Sequence, residues 1–238
     1  MQAIILAGGK GTRLKPYTLT IPKPLVPIGD TPILEIVLRQ LKYYGVSDVV
    51  MAVNHQADYI KAFFQDGKKL GINITYSYEE IPLGTAGPIS LAGSKISSEH
   101  FLVMNGDLLT TMNFHDFFTF HRMHAPAVSI ATYKKEVKID LGVLKVDEQG
   151  DFCDYIEKPT YNFDVSAGMY IFNRSVLEVI PQGQRFELPE LILKIKNLKM
   201  KISCYKADYF WLDIGRVEDC ERADEIMRER RAEFLPCQ

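Results

Sequence analysis

Three glycines and an arginine follow the first apolar run: Gly8-Gly9-Lys10-Gly11-Thr12-Arg13 comes directly after Ala3 to Ala7. Glycines behind a strand let backbone N–H groups approach an anion closely, and an arginine offers a planar fork to phosphate oxygens. Lys10 adds a point charge, as does Lys23, whose backbone is stiffened by Pro22 and Pro24. Two common phosphate loops are excluded. The G-x-x-x-x-G-K-[ST] pattern needs a lysine after its last glycine, where this chain has Thr12, and G-x-G-x-x-G needs a glycine where Leu14 stands. The residues read as an anion loop whose fixed charge is Arg13. A tight turn alone would also use the glycines, and Lys23 alone would also serve as a solvated loop lysine.

Two aspartates stand just past apolar runs. Asp107 follows Phe101-Leu102-Val103-Met104 and Asn105-Gly106, and Asp213 follows Tyr209-Phe210-Trp211-Leu212. Mg²⁺ takes a few carboxylates, keeps some waters and accepts substrate phosphates. Either aspartate alone is equally a turn residue or helix cap. Together with an anion loop they make a metal–nucleotide site. Glu157-Lys158 before Pro159 offers a carboxylate for sugar hydroxyls and a cation for a second phosphate, or simply a surface ion pair.

These residues need elements to hold them. Strands are expected over 2–7, 48–53, 72–77, 100–104 and 127–133, separated by helices over 32–44, 56–65, 86–93 and 114–124. Pro32 suits a first helical position. The alternation implies βαβ units, a mainly parallel sheet and an α/β fold. The second half is less regular. Strands over 142–147, 152–157 and 165–172 suggest an antiparallel addition, followed by helices over 174–180 and 188–196, a strand over 201–205 and a charged helix over 217–234. Ligands of open parallel sheets sit outside the carboxyl ends of the strands. Residues 8–13, 83–87 and 105–107 all fall at such ends, so one crevice can hold all three. The expectation is one domain over 1–238, with a substrate lobe from about residue 110 onward and a terminal helix.

The totals restrict the alternatives. A formal charge of −2 over 238 residues gives no basic field for nucleic acid or an anionic membrane. Cys153, Cys204, Cys220 and Cys237 lack C-x-x-C spacing and read as reduced thiols. No stretch approaches the ~18 continuous apolar residues of a membrane span, and the N-terminus has no basic n-region. The expected compartment is the cytoplasm.

The blocks LAGGKGTRLKPYT, PKPLVPI, PLGTAGP, VMNGD, EKP, SAGMYIF and WLDIG stand in the order and approximate spacing of the sugar-1-phosphate nucleotidylyltransferases. The chain resembles that family from about residue 1 to 219, and looks most like short mannose-1-phosphate guanylyltransferase forms without a β-helix domain. The resemblance implies a Rossmann-like, mainly parallel mixed sheet flanked by helices, with an inserted antiparallel sugar-binding portion. It implies the reaction of an NTP with a sugar 1-phosphate to give NDP-sugar and pyrophosphate, with Mg²⁺. By matching motifs, Gly8, Gly9, Gly11, Thr12 and Arg13 cradle the triphosphate, and Arg13 stabilises the departing pyrophosphate. Leu6, Ala7, Glu79, Gly84, Thr85, Ala86, Asn105 and Gly106 complete the nucleotide site. Lys23 lies by the α-phosphate, and Asp107 and Asp213 hold the metal. Glu157 and Lys158 hold the sugar and its phosphate, while Gly142, Ala167 and Gly168 border the sugar. Such a transfer needs positioning and charge neutralisation rather than a covalent nucleophile.

Base and sugar follow from narrower signals. Relatives that transfer thymidylyl or uridylyl groups often carry glutamine where this chain has Glu79-Glu80. A carboxylate only accepts hydrogen bonds, and guanine offers adjacent N1–H and N2–H donors. GTP with mannose 1-phosphate or a manno-configured heptose is therefore favoured over uridylyl, thymidylyl or cytidylyl transfer. A nucleotide-sugar-sensing regulatory subunit and a cytidylyltransferase for an alcohol phosphate are the rivals. The intact charged residues and the EKP and SAGMYIF blocks argue against both. No hexapeptide repeats follow residue 215, so no acyltransferase activity is expected, and family-type homo-oligomerisation is left open. His115, His121 and His124 read as surface or helix-terminal residues, Phe114, Phe117, Phe118 and Phe120 as core, and the alternating charges after Met227 as a solvated helix face.

Overall fold

The computed structural model describes residues 1–9, 11–54 and 56–236. Lys10, expected to add charge to the glycine loop, and Cys237 lie outside the described residues. The elements in chain order are β1 (Gln2–Leu6), β2 (Pro27–Ile28), β3 (Thr31–Pro32), α1 (Ile33–Tyr43), β4 (Asp48–Val53), α2 (Ala57–Phe64), β5 (Asn73–Tyr78), α3 (Gly87–Gly93), β6 (His100–Asn105), β7 (Leu108–Thr110) and α4 (Phe114–His124). They continue as β8 (Val128–Lys138), β9 (Val143–Val146), β10 (Phe152–Ile156), β11 (Thr160–Asn173), α5 (Leu188–Asn197), β12 (Ile202–Lys206), β13 (Trp211–Asp213) and α6 (Val217–Phe234). Residues 174–179 form a 3-10 turn where a helix was expected.

Seven strands make the main sheet, in the order β12-β8-β11-β6-β1-β4-β5. β1 is parallel to β4 and β6, β4 to β5, and β8 to β12. β11 is antiparallel to both β6 and β8. The architecture is α/β with a mostly parallel central sheet, as expected. The antiparallel addition is narrower than expected: β11 alone reverses direction within the sheet, and β9 and β10 pair only with each other. From β1 the chain first builds outward through β4 and β5, then crosses to β6 on β1's other side. The gap beyond the ends of β1 and β6 is therefore the switch point where open α/β sheets bind ligands.

Side chains alternate across β1. Ala3 and Ile5 join the core beneath α1, α2 and α4, and Ile4 joins the one beneath α3 and α5. A third cluster gathers Leu14, Val26, Ile28, Ile36, Leu109, Leu212 and Ile214 under Ala223, Met227 and Phe234 of α6. It fastens the segments that carry Arg13, Lys23 and Asp213 to one another. Pro32 is the residue before α1 rather than its first turn, because its backbone remains extended and pairs with Pro27.

His121 departs from the surface role expected of it. It is fully buried, with Nδ1 within 2.9 Å of Ser129 Oγ and Nε2 within 3.2 Å of His100 Nδ1. The helical spacing of α4 turns it inward with Phe114, Phe117 and Phe118. Burial, with His100 as a lesser cause, lowers its pKa from 6.5 to about 4. On acidification the unfolded chain binds this proton first, so stability falls as pH drops from 6.5 toward 4. Urea unfolding should lose about 2 kcal/mol between pH 7.5 and 5, above the ordinary carboxylate range. A flat profile there would contradict a neutral buried His121.

Candidate active site

Gly11 terminates the glycine loop in a left-handed conformation, with φ of 61°. A Cβ there would come within 2.8 Å of Thr18 Cγ2 and 3.0 Å of Lys23 Cβ. Only glycine lets the loop lie against the Lys23 turn, and Thr18 Oγ1 secures it by donating to Gly11 O at 2.8 Å. Gly8 is also a point of close approach, because a Cβ would lie 3.0 Å from Glu79 Oε1. Gly9 faces open space. The 3-10 turn over Thr12–Leu14 buries Leu14 and leaves Thr12 and Arg13 exposed.

The register Leu6↔Asn105 brings the loop beside the end of β6. Gly106 then closes the turn by donating its N–H to Leu6 O at 3.0 Å. Asp107 follows, and its Oδ2 is ion-paired with Lys23 Nζ. Its Oδ1 is buried without a hydrogen-bond partner. A buried carboxylate oxygen without a partner is uncommon, and it is the kind of atom that a cation, a ligand group or an ordered water satisfies.

Asp213 reaches the same point from 106 residues away. β13 pairs with β7 so that Asp213 stands opposite Leu108, and Ile214 N donates to Asp107 O at 3.0 Å. Burial raises the Asp213 pKa, and the charge of Asp107 raises it further, while Lys23 and Arg13 pull it down. Two hard carboxylates, one with a free oxygen, fit a cation completed by substrate phosphates and water. Among the described residues no group of three or more histidine, cysteine or acidic side chains could hold a metal unaided.

A cleft of about 530 Å³ opens beside this cluster. Of the residues expected in the nucleotide site, Leu6, Gly8, Gly9, Glu79, Gly84, Thr85 and Asn105 line it, together with Asp107. Ala7, Ala86 and Gly106 lie beneath its wall: all three are buried, and their N–H groups are spent on Ala52 O, Phe186 O and Leu6 O. Glu79 Oε2 accepts the Leu83 N–H at 3.1 Å, which holds the 79–83 turn, and burial raises its pKa.

Sequence reasoning missed Asn54, Arg185 and Glu187 on the same cleft. Glu187 accepts from Thr85 N and Oγ1 at 3.1 and 2.9 Å and from Arg185 at 3.1 Å, tying the two loops together. The segment before α5 carried no motif to mark it.

The residues expected at the sugar divide. Gly168, with φ of 70°, sits at the β11 irregularity between Ser166 and Tyr170, where a Cβ would lie 2.8 Å from Asn105 Nδ2. Ala167 is fully buried, and its carbonyl accepts the Trp211 indole N–H at 2.8 Å. Gly142, Glu157 and Lys158 form a second group on the β9–β10 hairpin. Tyr155 OH donates to Glu157 at 2.9 Å, and a Cβ on Gly142 would overlap that hydroxyl at 2.0 Å. Glu157 and Lys158 are exposed, and among the described residues no hydrogen bond or ion pair joins them to Asp107, Asp213 or Lys23.

A mannose-1-phosphate guanylyltransferase catalytic subunit beta of Dictyostelium discoideum is 35% identical over 92% of this chain and 62% of its own length. A UTP–glucose-1-phosphate uridylyltransferase of Synechocystis is 32% identical over 92% of this chain and 61% of its own. The chain thus spans about three-fifths of the length of these curated relatives. The crystal structure of HddC from Yersinia pseudotuberculosis complexed with GMP-PN superposes with a TM-score of 0.74, at 27% identity, covering 94% of this chain and 98% of that one. The nucleotidyl transferase family matches residues 2–230, a span that takes in the glycine loop, both aspartates and the sheet that joins them, and the chain belongs to that family.

Proposed function

We propose that the protein transfers a guanylyl group from GTP to mannose 1-phosphate or a manno-configured relative, releasing pyrophosphate. The observation that carries nucleotidyl transfer is the cluster at the switch point: a Lys23–Asp107 pair with a free, buried Asp107 oxygen and Asp213 alongside. A nucleotide in the 530 Å³ cleft would reach this cluster with its phosphates along Gly8, Gly9 and Gly11. Asp107 and Asp213 would hold Mg²⁺, which when bound offsets charge on the phosphates.

The chain's own residues supply the rest. Lys23 meets the repulsion between the triphosphate and the incoming sugar phosphate, whose oxygen is already anionic and needs no general base. Arg13 meets the charge that gathers on the leaving pyrophosphate. Gly168 lets the Asn105 amide pack against β11 at the edge of the cleft, where the acceptor would enter, with Glu157 and Lys158 as sugar contacts from the β9–β10 hairpin. The part over about 1–110 would serve the nucleotide and that over about 111–215 the sugar.

Support for GTP comes from Glu79, an acceptor-only carboxylate half-buried in the cleft wall, and from the names of the guanylyltransferase relatives. The uridylyltransferase relative favours UTP with glucose 1-phosphate as the second reading. Pyrophosphate release measured over GTP, UTP, dTTP, CTP and ATP, each with mannose, glucose and heptose 1-phosphates, separates the two. Turnover confined to GTP and a manno-configured sugar is expected. Glu79→Gln should then lower kcat/KM for GTP by about tenfold, the scale of one charged hydrogen bond. An unaltered base preference would remove Glu79 as its reader.

A further inference from the structure

Five cations share a second cleft of about 680 Å³ next to the candidate site: Arg13, Lys134, Lys135, Arg216 and Arg222. Among the described residues none of the five is ion-paired. The acids that border the cleft are Glu136, Asp213 and Asp219. Asp219 is already engaged, accepting the N–H groups of Gly215 and Arg216 at 3.0 and 2.8 Å. Asp213 faces Lys23 and Asp107 as well as Arg13. Glu136 is the remaining acid, so the cleft carries an excess of positive charge.

Its position relative to the first cleft is informative. Asp107 borders the nucleotide cleft and Asp213 borders the cationic one, so the two clefts meet at the paired aspartates. Three elements converge there. Arg13 ends the glycine loop, and Arg216 and Arg222 belong to the start of α6. Lys134 and Lys135 lie on the half of β8 that continues past the register Thr132↔Lys206, beyond the end of β12 and on the carboxyl side of the sheet.

We propose that this cleft holds inorganic pyrophosphate, with Arg216 and Lys134 as its principal contacts beyond the glycine loop. The inference rests on the reaction proposed above. There an oxygen of the sugar phosphate bonds to the α-phosphorus while the bond from that phosphorus to the α–β bridging oxygen breaks, and the electron pair leaves on pyrophosphate. No proton is required. The leaving pyrophosphate is drawn toward Arg13 and the cations that share its cleft. Pyrophosphate carries several negative charges, more than one guanidinium can answer, and the excess cations beside Asp213 match that demand.

Calorimetric titration of inorganic pyrophosphate into the full chain, with Mg²⁺ present, tests the site without any turnover. Arg216→Gln and Lys134→Gln should each weaken pyrophosphate binding by about tenfold, and Glu136→Gln should tighten it by about twofold. Mannose 1-phosphate binding should move less than twofold in all three. Arg228→Gln, an exposed α6 variant away from the cleft, controls for general charge loss. In reverse turnover of GDP-mannose, the KM for pyrophosphate should rise by the same factor as the binding constant. Unchanged pyrophosphate affinity in both variants overturns the proposal, as does a loss that falls on mannose 1-phosphate instead. If no substrate pair turns over but the binding losses appear, the site stands and the reaction is the part that fails.

Discussion

Asp107→Asn should reduce kcat by about 10³-fold, equivalent to roughly 4 kcal/mol of transition-state stabilisation, while the protein stays folded. The substitution preserves shape and removes one charge at the position where two roles meet. One Asp107 oxygen pairs with Lys23 and the other is buried without a partner. Loss of the charge weakens the hold on a cation and releases Lys23 from its fixed position. The cost to folding is smaller, about 1–2 kcal/mol, because Lys23 is partly exposed and still faces Asp213. The split is checked by initial rates at saturating substrate together with urea unfolding. Chelation of divalent ions should depress the unmodified protein similarly and add little to the variant. Retention of most turnover in Asp107→Asn would dismantle the assignment of the cluster.

Arg13→Ala should lower kcat by about 10²–10³-fold and change unfolding free energy by less than about 0.5 kcal/mol. The separation of effects is structural. Within its turn Leu14 supplies the buried anchor, whereas Arg13 is exposed and, among the described residues, has no ion-pair partner. In the proposed reaction its charge would act on pyrophosphate as the leaving bond lengthens, so kcat should fall more than KM for the nucleotide rises. Arg13→Lys should recover only part of the loss, since an ammonium lacks the planar fork. Comparable losses in kcat and stability would make Arg13 a structural residue of the loop.

Much of this arrangement is legible in the residue order. Periodicity located β1, β4, β6, α1, α4 and α6 to within a residue or two, because each is a continuous apolar or amphipathic run with turn residues at its ends. Glycine placement after β1 identified the loop, and the closeness of Gly11 to Thr18 and Lys23 gives the steric reason for that glycine. The two-strand pairing of β7 and β13 was not legible. Each is three residues long, too short for a period, and their partnership spans about half the chain.

Residue order carries the chemical inventory: a glycine loop ending in arginine, a rigid lysine and two strand-end aspartates. It also carries the alternation that brings those strand ends to one edge of a parallel sheet. Which of these groups meet depends on long-range packing. The β7–β13 ladder and the cluster under α6 bring Asp213 to Asp107, and the Glu187 bridge closes a cleft whose far wall no motif announced. The projecting half of β8 adds Lys134 and Lys135 to a cleft with residues of α6. Local residue order encodes what neighbouring backbone groups can do, whereas contacts across a hundred residues depend on which apolar surfaces the whole chain can bury at once.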